Sequence, residues 1–562
     1  RCTSAESLFY APCYFCQIKQ IATREGTILY AFYQVTIFTQ NAKAHHLRNK
    51  SSLRSREIVA KIISFFCLSC VLIRDEGAEM DKNAGKSVAS ISSPSTSSAT
   101  VERASTANAR TLSTQDQNNP NNNDGFKRTL SIFDMVIYGL IFMVPIAPFS
   151  IYGGVANASN GMASMAYLIA FVAMFFTVLS FGIMIKTFPS SGSIYTYASK
   201  SLGSAIGFIA GWLMLLQYLI SPDMVFIIAA EPLHQYVPAM PVWAWCLIFL
   251  AIVLVVASRG IQTTMIVNKI ALVCECIVLG MFLVFGIAFI FSHPETSDFT
   301  LDAFFDPSKF TMPSMLSAVS LAVFSFVGFG CVATLTEEAK NERSGPPRAM
   351  MIMVIILAVL FAFTCYIATC VDPSGELCRS NETNGFYLIA ELVGGKWFGQ
   401  LCALAVALAQ GVFTGLVAQV SVSRVLYVMG KSGSLPSPLA KMDKKRGVPL
   451  VATLFVSALS LVLLPFFLNI GMDGLAKVVN FGALASYVIL NVCVVWHFWV
   501  KGKDHTNPLR LLICPIIGAI IVGAIFVSLD PTSHTIGIIW IIIGIVYYLV
   551  TTRLLKRKIT ME

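Results

Sequence analysis

Met143-Val144-Pro145-Ile146-Ala147-Pro148-Phe149-Ser150 sits inside an apolar stretch, 131–156, long enough to cross a bilayer. Its two prolines remove backbone N–H donors and disfavour helix in the residues before them, so the reading is a membrane helix broken near mid-depth. A second interruption, Ser325-Phe326-Val327-Gly328-Phe329-Gly330, puts two helix-weakening glycines inside the apolar stretch 314–337. Working outward from these two points, apolar segments recur at 131–156, 163–186, 203–236, 242–258, 264–291, 314–337, 349–371, 397–428, 449–469, 474–499, 509–528 and 534–552. The interruptions fall in the first and sixth. Broken helices at corresponding positions of two five-helix halves point to an inverted-repeat transporter, with a binding site at unwound backbone near the bilayer midplane.

The composition agrees. Of 562 residues, 56% are hydrophobic and 12% charged, with mean hydropathy +0.71, whereas a soluble domain carries about a quarter charged residues. The chain reads as an all-α, multi-pass membrane protein of twelve spans. Its net charge of +10 is explained by topology rather than by nucleic acid. With the N-terminal tail inside, eighteen Lys and Arg fall in inner loops and the C-terminal tail, against Lys309, Arg379, Lys396 and Lys477 outside. That asymmetry predicts both termini in the cytoplasm and a plasma-membrane location. Asn157-Ala158-Ser159 and Asn381-Glu382-Thr383 then fall outside as glycosylation sequons, of consequence in a secretory-pathway host.

Three regions are expected. Residues 1–79 mix cysteines, aromatics and basic residues without periodicity and end just before Met80, which reads as an unstructured leader from an over-extended reading frame. Its CxxC pairs, Cys13/Cys16 and Cys67/Cys70, are too far apart for a typical zinc site, and no metal is expected. Residues 80–129 are polar and of low complexity, expected to be a disordered cytoplasmic tail. Residues 130–558 form the twelve-helix transporter domain. Both Gly-Lys-Ser sequences lack the first glycine of a phosphate-binding loop, there are no repeated filter-like loops, and clustered His or paired acids at helical spacing are absent from the sequence. An ATP-driven pump, a channel and a membrane-embedded enzyme are therefore set aside.

Three further stretches carry information: Phe188-Pro189-Ser190-Ser191-Gly192-Ser193-Ile194-Tyr195-Thr196-Tyr197 after the second span, Thr336-Glu337-Glu338-Ala339-Lys340 after the sixth, and Ser421-Val422-Ser423-Arg424-Val425-Leu426-Tyr427-Val428-Met429-Gly430 after the eighth. Glu337, Glu338, Lys340 and Arg424 could form a gating ion-pair network at the inner boundary, or simply a solvated loop face. Together with Gly328-Phe329-Gly330, these stretches resemble the amino acid/polyamine/organocation (APC) permease superfamily over roughly 127–558. Ser421–Gly430, Val479-Asn480-Phe481-Gly482-Ala483-Leu484 and His497-Phe498-Trp499 are most similar to bacterial putrescine importers. The resemblance implies a LeuT-like five-plus-five core with two extra C-terminal helices, and uptake driven by the proton gradient with no cofactor. Most amino-acid members have a Gly-Ser-Gly-type break where this chain has Pro145 and Pro148, and many have an acid where it has Gly330. Substrate identity is therefore read from the residues and not carried over from that branch.

Unwound glycine-rich backbone holds a carboxylate through free N–H groups, and prolines delete such donors. The candidate substrate-binding residues are Val144, Pro145, Ile146, Ala147 and Pro148 in the first break, Phe326, Gly328, Phe329 and Gly330 in the sixth, and Tyr218 and Asp223 in the third span. Tyr218, Phe326 and Phe329 offer ring faces to an alkyl-ammonium, although aromatics in membrane spans commonly pack instead. Asp223, Glu231 and Glu275 are acids within the membrane, and Lys269 is the opposing charge. Glu275 could take a proton outside and release it inside, or pair with a substrate ammonium; the resemblance puts a lysine of several proton-coupled amino-acid members at its position. The expected partners are protons, lipid and a small cationic amine resembling putrescine. An amino-acid permease holding a carboxylate at Val144–Ser150, and a non-transporting substrate sensor, are the rivals.

Overall fold

The structure, a computed structural model, describes residues 128–554 other than 298, 444 and 503–505. The leader 1–79 with its CxxC pairs, nearly all of the tail 80–129, and Lys444, Lys503 and Lys556, Arg557 and Lys558 of the basic count lie outside the described residues.

Ser131 starts the first helix with a capping box: its hydroxyl accepts the Asp134 N–H, and the Asp134 carboxylate accepts the Ser131 N–H. Helix α1 (Ile132–Met143) ends where the prolines begin, and α2 (Pro148–Ala158) begins on Pro148, whose missing N–H costs nothing at the first helical position. The two halves bend by 55°. The chain continues as α3 (Ala163–Thr187), α4 (Ile194–Leu202), α5 (Ser204–Tyr236), α6 (Val242–Ala257), α7 (Ile261–Ser292) and α8 (Met312–Phe326). After α8 the backbone opens at Val327 and Gly328 and resumes as a tight 3-10 segment, Phe329–Glu338. Then come α9 (Gly345–Val371), the short α10 (Glu376–Ser380), α11 (Gly385–Gly394), α12 (Lys396–Leu408), a π-helical segment Ala409–Thr414, α13 (Gly415–Lys431), α14 (Leu450–Val494), α15 (Cys514–Val527) and α16 (Pro531–Leu549).

Among the described residues ten helical stretches are long and apolar enough to cross a membrane, and the bent α1–α2 pair makes eleven. The expected fourth span is α6, whose 16 residues reach about 24 Å at 1.5 Å per residue, short of a typical hydrocarbon core. Both stretches expected after the eighth span are found, with no break in the helix between them. The ninth and tenth spans, 449–469 and 474–499, belong to a single 45-residue helix, α14, holding the two membrane-length stretches Leu450–Ile470 and Gly474–Lys501. No proline falls between Phe466 and Val494, so nothing in the connecting backbone forces the helical hydrogen bonding to stop.

α5 packs most extensively against α14, and α3 against α9 and α8; α1 lies against α7, α9 and the 3-10 segment. α15 and α16 touch this body mainly through α3, α5 and α14. The loops sort into two faces. On one, Arg446 donates to Ser258 O at 3.3 Å, Arg128 pairs with Glu342 at 2.8 Å, and Lys340 N–H bonds Leu130 O at 2.9 Å. On the other, Asn160 donates to Lys309 O and Asn157 to Cys378 O, each at 3.1 Å. The first is called the basic face below. Asn157 of the first sequon spends its amide on that bond beside the fully buried Ser159, while Asn381 is exposed.

Candidate functional site

The two breaks meet. Gly328 sits at φ 135°, a backbone region that side chains avoid, and a Cβ there would lie 2.1 Å from the Phe142 ring. Only a glycine lets the sixth-span break come this close to the end of α1. Val144 is held at φ 54°, ψ 104°, unusual for a β-branched residue. Pro145 has no N–H for the carbonyl of Ile141, one turn earlier, and the Thr414 hydroxyl donates to it instead at 2.9 Å. The end of α1 therefore presents carbonyl oxygens, the negative pole of the helix, toward the space between the breaks.

That space is a small cavity of about 40 Å³. Its walls are Phe142, Met143, Val144 and Ala147 from the first break, Phe324, Ser325 and Val327 from the sixth, Ser221, Met224 and Val225 from α5, Gln410 and Thr414 from the π segment, and Val479 from α14. Of the first-break candidates, Val144 and Ala147 line this cavity, with Pro145, Ile146 and Pro148 in the turn behind them. Other candidates are elsewhere. Tyr218 is buried against Phe142, ring centroids 6.4 Å apart, and its hydroxyl lies 3.4 Å from where a Gly330 Cβ would be. Phe326 packs on Tyr167 and Phe361, and Phe329 stacks on Tyr487 at 5.1 Å. Each helical step turns the side chain by about 100°, so with Phe324 and Ser325 at the wall Phe326 points away. The same rotation separates Asp223 from the wall residues Ser221 and Val225; it lies beside Ser460 of α14 and Cys246 of α6.

A larger cavity, about 280 Å³, opens on the face opposite the basic one. Ser150, Ile228, Glu231, Pro232 and His234 line it, with Thr383, Asn384 and Tyr387 from the loop and helix α11. Ile228, Glu231 and Pro232 continue the side of α5 that carries Ser221 and Val225, so the two cavities share one helix face.

Glu275 is 2% exposed, and neither carboxyl oxygen has a partner among the described residues. Its level along α7 is fixed by two contacts: Lys269 pairs with Asp134 at 2.7 Å, and Phe282 meets Phe149 at 5.6 Å between centroids. Glu275 lies between these two contacts along α7, at a depth between the first turns of α1 and α2. Asn268, two turns toward the basic face on the same buried stripe, is also fully buried, with both amide atoms lacking partners among the described residues.

The basic face is closed. Arg424 donates through Nε and Nη2 to Glu338 Oε1 at 2.5 Å, with both side chains buried, and through Nη1 to Val420 O at 3.2 Å. Glu337 Oε1 accepts the Ser191 N–H at 2.9 Å, tying the end of the sixth span to the Phe188–Tyr197 stretch. Lys340 is exposed and contributes its backbone. Of the expected gating residues, Glu338 and Arg424 form a buried pair, and Glu337 anchors a loop.

Ser221, Gln410, Thr414 and Asn268 were not picked out by charge. The available signal was a polar residue in an apolar helix, strongest in Ala409-Gln410-Gly411-Val412-Phe413-Thr414, where the helix also widens to π geometry, a frequent mark of functional sites.

Residues 137–528 match the family model described as Amino acid permease. The chain is 28% identical over 437 residues to the low-affinity putrescine importer PlaP of Escherichia coli, covering 77% of this chain and 95% of that protein. It is 26% identical over 454 residues to the branched-chain amino acid permease BcaP of Bacillus subtilis, covering 76% and 93%, and 24% identical over 462 residues to the methylthioribose transporter of the same organism, covering 76% and 94%.

Proposed function

The chain belongs to the amino acid permease family, and from that premise we propose that it imports a small cationic amine of the putrescine kind across the cytoplasmic membrane by proton symport. It is a multi-pass membrane transporter and not an enzyme. The proposed architecture is twelve spans with both termini cytoplasmic, a LeuT-like five-plus-five core and α15 and α16 outside it.

One observation carries the choice of substrate. Among the described residues the walls of the two cavities hold no Lys or Arg; besides Tyr387, their ionisable side chains are Glu231 and His234. A substrate carboxylate would meet no fixed cation, and Pro145 and Pro148 withhold N–H donors from the first break. An ammonium group would meet the carbonyl end of α1, the hydroxyls of Ser221 and Thr414, and the amide oxygen of Gln410. The nearby relatives named for putrescine and for branched-chain amino acids make both substrate classes the ones to compare.

Glu275 is the proposed coupling group. A carboxylate buried without a partner is costly unless it is protonated, and at a depth between the first turns of α1 and α2 it can exchange its proton as the break between those helices moves. With the basic face sealed and a cavity on the opposite one, the arrangement corresponds to a state open to the outside.

The test is uptake into proteoliposomes. Labelled putrescine should accumulate under an inward proton gradient. Accumulation of a neutral amino acid but not putrescine would overturn the amine assignment, and movement of neither would favour a sensor.

A further inference from the structure

Asp223 is 1% exposed on α5, on the side turned from the cavity, and its Oδ2 has no partner among the described residues. Its neighbours on α14 form a polar file. Thr453, Ser457 and Ser460, at i, i+4 and i+7, share one face of that helix, and each is 5% exposed or less. Gln419 of α13 bridges the lower two, donating through Nε2 to Thr453 O at 2.8 Å and to Ser457 Oγ at 2.9 Å. The Thr453 hydroxyl donates to Pro449 O at 3.2 Å, at the basic face. Ser460 completes the file beside Asp223.

Polar residues between membrane helices commonly serve as packing contacts, and then their atoms are paired. Here Asp223 Oδ2, Ser460 Oγ and Gln419 Oε1 are all without a partner among the described residues. Among the described residues no counter-charge is at hand. The first turns of α14 from Leu450 to Ser460, all of α6, and the π segment hold no Lys, Arg, Asp or Glu. Cys246 is the titratable residue of α6 beside it, Glu231 is two turns on along α5, the Arg424 of α13 is held by Glu338, and the charge of α12, Lys396, is at that helix's first residue. A carboxyl with no cation, at the head of a file of buried hydroxyls leading toward one face, is suited to bind and release a proton on that side.

We propose that Asp223 is a second proton-binding site of the transport cycle, separate from Glu275 and from the substrate cavity, exchanging its proton with water at the basic face along the hydroxyl file of Ser460, Ser457 and Thr453, which Gln419 holds in place. The same turns of α5 carry Asp223 on one side and the cavity wall on the other, so the charge state of Asp223 is felt at the wall. The step is the reversible loss of one proton from the carboxyl to water at the basic face. It rests on the reading of the chain as a proton-coupled transporter.

Two measurements test it on the full chain. Infrared difference spectra of purified protein between acid and alkaline pH should show a protonated-carboxyl C=O band that Asp223→Asn removes and Ser460→Ala shifts by removing the hydroxyl beside it. In proteoliposomes, Asp223→Asn should lower the proton-to-substrate ratio about twofold, from two sites to one, with substrate exchange retained. Superposable spectra for the wild-type chain and Asp223→Asn would overturn the site. So would a band that vanishes while the ratio stays unchanged. Wild-type uptake indifferent to the gradient would instead overturn the coupled-transport reading, and Asp223 would lose its place in the cycle even with the band present.

Discussion

A carboxylate surrounded by hydrocarbon persists only if something neutralises it, and Glu275 has no protein group to do so among the described residues. Glu275→Gln keeps the volume and removes the proton. It should cut gradient-driven accumulation by about tenfold or more while leaving counterflow exchange within about threefold, the separation expected when coupling is lost but substrate binding is not. Unchanged pH dependence of uptake in that variant would assign the proton to another group. Glu231→Gln should act differently, raising KM for an amine about tenfold through loss of a charge-assisted contact, with kcat little changed; uptake assays over a range of substrate concentrations separate the two. Glu275 was legible in the sequence because it stands alone in Leu272-Val273-Cys274-Glu275-Cys276, and a lone acid in an apolar run must be accounted for. Ser221, Gln410 and Thr414 were not, because a hydroxyl or amide costs little in a membrane helix and its presence is a much weaker signal than a charge.

At the scale of elements, the two breaks were readable because proline and glycine act on their own backbone, independently of what surrounds them. The directions of the rings were not: whether Phe326 or Phe324 faces the cavity depends on where the helix ends and how it rotates against α3 and α9, which the sequence pattern leaves open. The two spans of α14 were legible but the continuity of the helix between them was not, since a polar connection predicts an exit from the membrane but not whether helical hydrogen bonding ends. The contact between the breaks gives a sharp test. In Gly328→Ala the new methyl would overlap Phe142, and the backbone would be held at φ 135°. Transport should fall by about a hundredfold, and the melting temperature should drop, reflecting about 1–3 kcal/mol of strain. Adding Phe142→Ala removes the overlap but not the backbone cost, so the double variant should recover only part of the stability. Full recovery would show that φ at this position is not constrained.

For the molecule as a whole, the positive loops announced two unlike faces, and the structure adds which one is shut. The Arg424–Glu338 pair closes the basic face, while the wider cavity lies opposite. Removing one partner of a buried pair leaves an uncompensated charge, at about 3–5 kcal/mol. That cost falls on the state in which the pair is buried and is relieved in any state that opens it to water. Glu338→Ala should therefore shift the population away from the closed basic face, and a bias of this size is enough to move a two-state equilibrium by about a hundredfold or more. The shift is measurable without substrate. A thiol introduced by Ser150→Cys, at the wall of the open cavity, should react quickly with a membrane-impermeant reagent applied from that side. Adding Glu338→Ala should slow the reaction in proportion to the lost population, while a thiol introduced by Ser421→Cys, behind the pair, becomes reactive from the basic side. If both rates stay as they were, the pair holds the fold together without governing which face is open, and alternating access must be controlled by the breaks themselves.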